Sequence, residues 1–277
     1  MSVPRRVLSD SPAPVRRRNP GAATALADTA WREARAAAPE VAAAAAQFFP
    51  KYFKTHRRSL PWRKTRSAFR LLLAEMMLQK THSRAVGAVW KVVVTKWPSP
   101  KLLAKADGAE LRRIMAPLGI HYRADRLKTL AQELTDRFSE SVPSNYEELR
   151  SLTGVGDYTA SSVLCQAFGR RQPMIDVNAG RVYSRLYGQR FRTERQSLQF
   201  ARAAAEAVIA SSPPRETNLA ILDFAQAVCT PVPRCSVCEL RSICRYARSL
   251  EQATIAAPSG LEGPYLMSNA AEEISQH

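Results

Sequence analysis

The sequence lacks any apolar run long enough to span a bilayer, and its N-terminus lacks the apolar core of a secretory signal. A helical membrane protein and a secreted one are therefore not expected; a soluble, cytoplasmic protein is. Cysteine is scarce and unevenly placed: there are five, four of them between residues 229 and 244. A disulfide framework would spread its cysteines through a small secreted chain. One tight cluster reads instead as a metal site, with Cys165 standing apart as a small buried residue of a helix. Strand signals are also missing, with no hairpin pattern and no internal repeat. Acidic residues are few: 24 Asp and Glu face 41 Lys and Arg, for a net charge of +17. Residues 1–30 carry only five Arg and two Asp, so most of that charge lies on the body of the chain. A basic body attracts polyanions, nucleic acid first among them.

What is present is helical periodicity. Residues 1–30, rich in Pro, Ala, Ser and Arg, read as a disordered basic tail. An alanine-rich helix is expected within 31–56, then a break at Leu60-Pro61-Trp62-Arg63, then helices near 68–80, 84–96, 109–115, 123–137, 145–151, 158–168, 178–187, 195–210 and 218–227. The stretch from 251 to 277 is small and polar and is expected to be loosely ordered.

Two segments carry chemistry. In Leu152-Thr153-Gly154-Val155-Gly156-Asp157-Tyr158-Thr159-Ala160, two glycines sit between helices and leave backbone N–H groups open to a phosphate oxygen. An ordinary helix–helix turn would show the same glycines. Asp176, twenty residues after Gly156, lies in an apolar setting just before a helix, in Met174-Ile175-Asp176-Val177-Asn178-Ala179-Gly180-Arg181. It reads either as an N-cap or as a carboxylate poised near a reactive group. The cysteines follow the pattern Cys229-x5-Cys235-x2-Cys238-x5-Cys244, which suits zinc or an iron–sulfur cluster, and spacing alone leaves both open.

GVGDYTA and MIDVNAGRV, with LPWRKTRSAFRLLLAEMMLQKT, LGIHYRADRL and NLAILDFAQAVC around them, resemble the endonuclease III (helix-hairpin-helix-GPD) superfamily of DNA glycosylases from about residue 58 to 246. The resemblance implies an all-α fold of two helical lobes flanking a DNA cleft: a six-helix barrel with the helix-hairpin-helix over 67–172, and an iron–sulfur domain joining 31–66 to 173–250. It implies a monomer acting on double-stranded DNA and a [4Fe–4S] cluster on Cys229, Cys235, Cys238 and Cys244, with zinc as the alternative. The first cysteine gap is one residue shorter than is usual in the family.

By the same resemblance, Asp176 stabilises a cationic sugar and Glu75 addresses the flipped base. Tyr158 replaces the lysine of the strand-cleaving members, so water is the expected nucleophile and lyase chemistry is not expected. Tyr158 resembles the branch that removes T or U opposite G. An adenine glycosylase, a glycosylase for a modified base, and a non-catalytic DNA-binding protein of the same fold are the other readings. Ile120 stands where adenine glycosylases carry tyrosine. Gln79 is the expected filler of the space left by the flipped base. Gly154, Val155, Gly156, Thr159, Lys80, Asn178 and Arg181 are expected DNA contacts, and Arg84, Arg123, Arg126, Arg234, Arg241 and Arg245 are further candidates. His82 and His121 read as surface polar residues, and Asp157 as a helix cap or a weakened phosphate contact.

Overall fold

The structure is a computed structural model describing residues 39–119 and 122–256, with every regular element among them helical. The tail at 1–30, residues 31–38, Ile120, His121 and residues 257–277 lie outside the described residues.

Helix α1 (Pro39–His56) buries Val41, Ala45, Phe49, Tyr52 and Phe53 at three- and four-residue spacing. A 3₁₀ turn over Pro61–Lys64 then tucks Trp62 edge-on against Trp90. Helix α2 (Ala68–Leu78) opens on Ser67, whose side chain accepts from the Arg70 N–H. Every residue of α2 from Leu71 to Met77 is buried, so α2 is a central helix rather than an amphipathic one. Around it stand α3 (Ser83–Lys96), α4 (Pro100–Ala104), α5 (Gly108–Met115), α6 (Tyr122–Phe138), the short α7 (Tyr146–Arg150) and α8 (Asp157–Phe168). Their apolar faces form one core running from Trp62 to Leu164.

A second core joins α1 to α9 (Val177–Leu186), α10 (Glu194–Ala210) and α11 (Pro214–Ala227), with Leu240 of the cysteine segment. The chain thus starts in one core, builds the other, and returns. Helix α8 serves both: Ala160, Val163 and Leu164 face the first core, Cys165 the second.

Two helices depart from the sequence expectation. Helix α4 was not anticipated, although Ser99 caps it and Pro100 opens it, both ordinary start signals. The chain from Arg245 forms a helix, α12, that runs to Ala256 and packs on α9, so 251–256 is ordered where a loose tail was expected. Among the described residues no helix is long and apolar enough to cross a membrane.

Candidate active site

Tyr158, Ser162 and Gln166 recur every four residues along α8 and so share one face. Glu75, near the end of α2, meets that face. It is only 5% exposed, and one carboxylate oxygen accepts from the Ser162 hydroxyl (2.5 Å) and the Gln166 amide (3.2 Å). Gln166 also donates to Ser162 (2.7 Å), closing a triangle. Burial raises the Glu75 pKa to about 7; the Ser162 bond, the Arg63 charge and the Gln166 bond pull the other way, and the Asp176 charge adds to the rise. A buried carboxyl held by donors that leave one oxygen free can keep its proton near neutrality. At that burial Glu75 is not a solvated charge on the helix surface.

The Tyr158 phenol is held well above its ordinary pKa by burial first, then by the charges of Glu75 and Asp176. It therefore remains a neutral hydrogen-bond donor. Asp176 caps α9. Its Oδ1 accepts from the backbone N–H groups of Asn178 (3.0 Å) and Ala179 (2.8 Å), and Oδ2 accepts from the Asn178 side chain (2.9 Å). The N-cap reading and the poised-carboxylate reading are thus compatible: the cap fixes the side chain, which remains partly exposed beside Tyr158 and Glu75.

Behind Tyr158 lies an ion-pair knot that sequence reasoning missed. Asp223, 2% exposed, accepts from Arg58 Nε (2.6 Å) and from both terminal nitrogens of Arg63 (2.6 and 2.9 Å). The partners are 160 and 165 residues apart, so no local pattern announces them. Ser162 and Gln166 were also missed, though their four-residue register with Tyr158 was readable.

The hairpin between α7 and α8 is held from three sides. Thr153 donates twice to Glu133 (2.8 and 2.6 Å), Arg150 donates to the Val155 carbonyl, and Gln79 donates to the Gly154 carbonyl (2.9 Å). Gly154 has φ +79°, which requires glycine for conformation, and a Cβ there, 2.7 Å from the Met76 methyl, would push that methyl aside. Gly156 precedes α8 and offers no side-chain cap, which leaves the first N–H groups of the helix to an outside acceptor. Val155 and Thr159 are buried, so only their backbones could meet a phosphate. Asp157 is exposed, paired with Arg150 (2.7 Å), and accepts from the Tyr146 hydroxyl (2.9 Å).

Lys80, Arg84 and Arg126 are exposed, as is His82 ahead of α3. Three arginines donate to backbone carbonyls. Arg123 is buried, with its guanidinium on Met77 and Thr81 rather than in solvent. Arg181 turns inward to the carbonyls of Cys229 (3.0 Å) and Ala225 (3.1 Å) and to Asn178 (3.2 Å), while the Asn178 amide is spent on Asp176. Arg181 thus ties α9 to the start of the cysteine segment, because buried carbonyls need donors. Arg185, overlooked in the sequence, donates to Thr230 (2.6 Å) and Pro231 (2.7 Å) and packs its cation on Tyr246. Arg234, Arg241 and Arg245 are exposed, and Arg241 pairs with Glu251 (2.7 Å).

Cys229, Cys235, Cys238 and Cys244 are free thiols lining one cavity with Arg185, Phe224 and Leu240. Burial, and then the neighbouring cysteines, raise the pKa of Cys238 to about 11. Among the described residues, no three His, Cys, Asp or Glu side chains are grouped as holders of a metal ion.

Set against known proteins, the profile of HhH-GPD superfamily base excision DNA repair proteins matches residues 73–206. A thymine/uracil-DNA glycosylase of Pyrobaculum aerophilum is 38% identical over 205 residues, covering 70% of this chain and 87% of that protein. The chain belongs to the HhH-GPD superfamily. An adenine DNA glycosylase of Mycobacterium tuberculosis is 37% identical over 196 residues, 68% of this chain and 63% of that one. The solved structure of a thermostable thymine-DNA glycosylase superposes with a TM-score of 0.69 at 27% identity, over 76% of this chain and 98% of that one. Membership makes this HhH-GPD protein a DNA-binding DNA glycosylase of base excision repair. The all-helical, two-lobed fold expected from the sequence is the fold of its superfamily neighbours.

Proposed function

We propose that this glycosylase hydrolyses the N-glycosidic bond of T or U opposite G in double-stranded DNA, as a monomer and without lyase chemistry. The observation that carries the reading is the Tyr158 phenol, kept neutral beside the Glu75 and Asp176 carboxyls, at the position where an amine nucleophile would be needed. A phenol cannot form a Schiff base. The C1′–N bond then breaks toward a cationic sugar, which Asp176 stabilises, and a water oxygen joins C1′ while its proton passes to Asp176 or solvent. The base leaves with the bonding electron pair and takes a proton. Neutral Glu75 and the Tyr158 hydroxyl are donors, and donors suit the carbonyl oxygens of a pyrimidine dione. The family relatives acting on thymine and uracil support the same base.

The backbone at Gly154, Gly156 and Thr159 takes a DNA phosphate at the start of α8, and Lys80 lies beside the duplex. The helical barrel is assigned to 67–172, and the second lobe to 31–66 with 173–250. The four cysteines are inferred to hold a [4Fe–4S] cluster. All four sulfurs line one cavity beside Arg185, Phe224 and Leu240, which suits a thiolate-held cluster, and zinc is the alternative. When bound, the cluster cross-links the loop that Arg181 and Arg185 already hold. Iron and sulfide analysis of the purified protein tests this.

A second reading, excision of adenine, is favoured by one observation: a carboxyl with a pKa near 7 can protonate a purine nitrogen. Single-turnover excision on T:G, U:G, A:G and A:oxoguanine duplexes, read with and without alkali, separates the two. Cleavage of T:G and U:G seen only after alkali supports the proposal. Cleavage confined to the adenine duplexes, or strand scission without alkali, overturns it.

A further inference from the structure

Arg123 is an arginine where the fold needs none for packing. It starts α6, is 5% exposed, and crosses to the C-terminal end of α2. There it donates to the Met77 carbonyl (3.1 Å) and to the Thr81 hydroxyl. Burial depresses its pKa, so the charge is held there at a cost that an aliphatic side chain would avoid. What the guanidinium holds is the turn Gln79–Lys80–Thr81. Lys80 has φ +53°, a left-handed conformation strained for a side chain of its kind. Thr81 ties the turn back on itself, its N–H to Leu78 (3.1 Å) and its hydroxyl to Gln79 (3.4 Å). Gln79 in turn reaches the Gly154 carbonyl, 75 residues on, in the phosphate hairpin.

We propose that Arg123 is a positioning residue: it holds the strained Gln79–Thr81 turn so that Gln79 and the hairpin meet the duplex as one unit. The proposal rests on Gln79 filling the space of the flipped base, and it extends that reading to a residue that touches neither DNA nor base. Misplacing a contact group by about 1 Å can cost roughly a hundredfold in rate. Arg123 therefore controls extrusion of the base rather than bond cleavage.

The test uses the full chain and Arg123→Met, Arg123→Lys and Thr81→Val. Affinity is measured for a duplex carrying a tetrahydrofuran abasic analogue opposite G and for the intact duplex. The abasic site needs the filler but no bond cleavage, so this readout stands even if T and U are not the substrates; that failure would show separately, as wild-type inactivity on T:G and U:G. The wild type prefers the abasic duplex. Arg123→Met loses about tenfold of that preference and Thr81→Val about threefold, Arg123→Lys recovers part of it, and intact-duplex affinity stays within about twofold. If Arg123→Met does not fold, Thr81→Val, which removes the hydroxyl that accepts from Arg123 together with its long bond to the Gln79 carbonyl, is compared with Thr81→Ser, which keeps both, and that pair decides. Preference retained in Thr81→Val, equal loss on both duplexes, or no preference in the wild type would overturn the proposal.

Discussion

Glu75 and Asp176 carry the same functional group in two unlike settings of one candidate site. Glu75 is sealed against α8, where uncharged donors and apolar side chains surround it and its pKa rises to about 7. Asp176 stands at the mouth of α9, partly exposed, and every donor that reaches it calls for an acceptor. One acid is built to keep a proton, the other to face positive charge. The fold achieves this by placing one in a buried helix and the other at a helix N-terminus. Whether the two regions truly divide the labour in this way can be broken experimentally.

The largest effect belongs to Asp176→Asn. Asparagine retains the N-cap, so stability should change by less than about 1 kcal/mol. The charge opposite the developing sugar cation is lost, and single-turnover excision should fall by about 10³-fold or more. Affinity for the intact duplex should stay within a few-fold. A parallel loss of binding would mean that Asp176 only shapes α9.

Glu75→Gln comes next and is read as stability. Below about pH 4.5 Glu75 is neutral in both folded and unfolded chains. Between there and about 7 the unfolded chain releases its proton while the folded one retains it, so stability falls as pH rises through that window and levels off above it. The loss is about 3 kcal/mol at most. Urea unfolding at pH 4 to 8 should show wild type declining relative to Glu75→Gln by that amount. A constant difference between the two would place Glu75 in a more hydrated setting than its burial implies.

Gly154→Ala probes the hairpin instead of the acids. A methyl at φ +79°, pressed against Met76, should cost about 1–3 kcal/mol. It should also weaken duplex binding several-fold while leaving the Glu75 pH dependence intact, because the hairpin and the buried acid are held by different contacts. Thermal unfolding with fluorescence titration of a labelled duplex measures both.

What was readable in the sequence was local. The hairpin, Asp176 with its helix, and the cysteine set each lie within about twenty residues, and their residue types state their geometry. The helices with strong three–four periodicity were also readable, while α4 was too short for a period and was signalled only by Ser99-Pro100. What hid was long-range and polar. Ser162 meets Glu75 across 87 residues, and Arg63 meets Asp223 across 160. Arg123 and Arg181 read as candidate DNA contacts because a single sequence cannot show that a carbonyl elsewhere waits for a donor. Charge alone misplaces such residues, since a buried carbonyl draws arginine inward as readily as a phosphate draws it outward.

The smallest effect sharpens the comparison most. Ser162 donates to Glu75 and favours its ionised form, against the larger pull of burial. Removing the hydroxyl in Ser162→Ala should therefore raise the Glu75 pKa further, not lower it, by roughly one unit or less. If neutral Glu75 is the active form, the alkaline limb of the excision pH profile moves up from about 7 by the same amount, with little change in the plateau rate. A limb that moves down would mean that Ser162 serves the neutral acid and that the ionised form is the one used. A limb that does not move would detach the pH dependence from Glu75 and pass it to another group in the pocket.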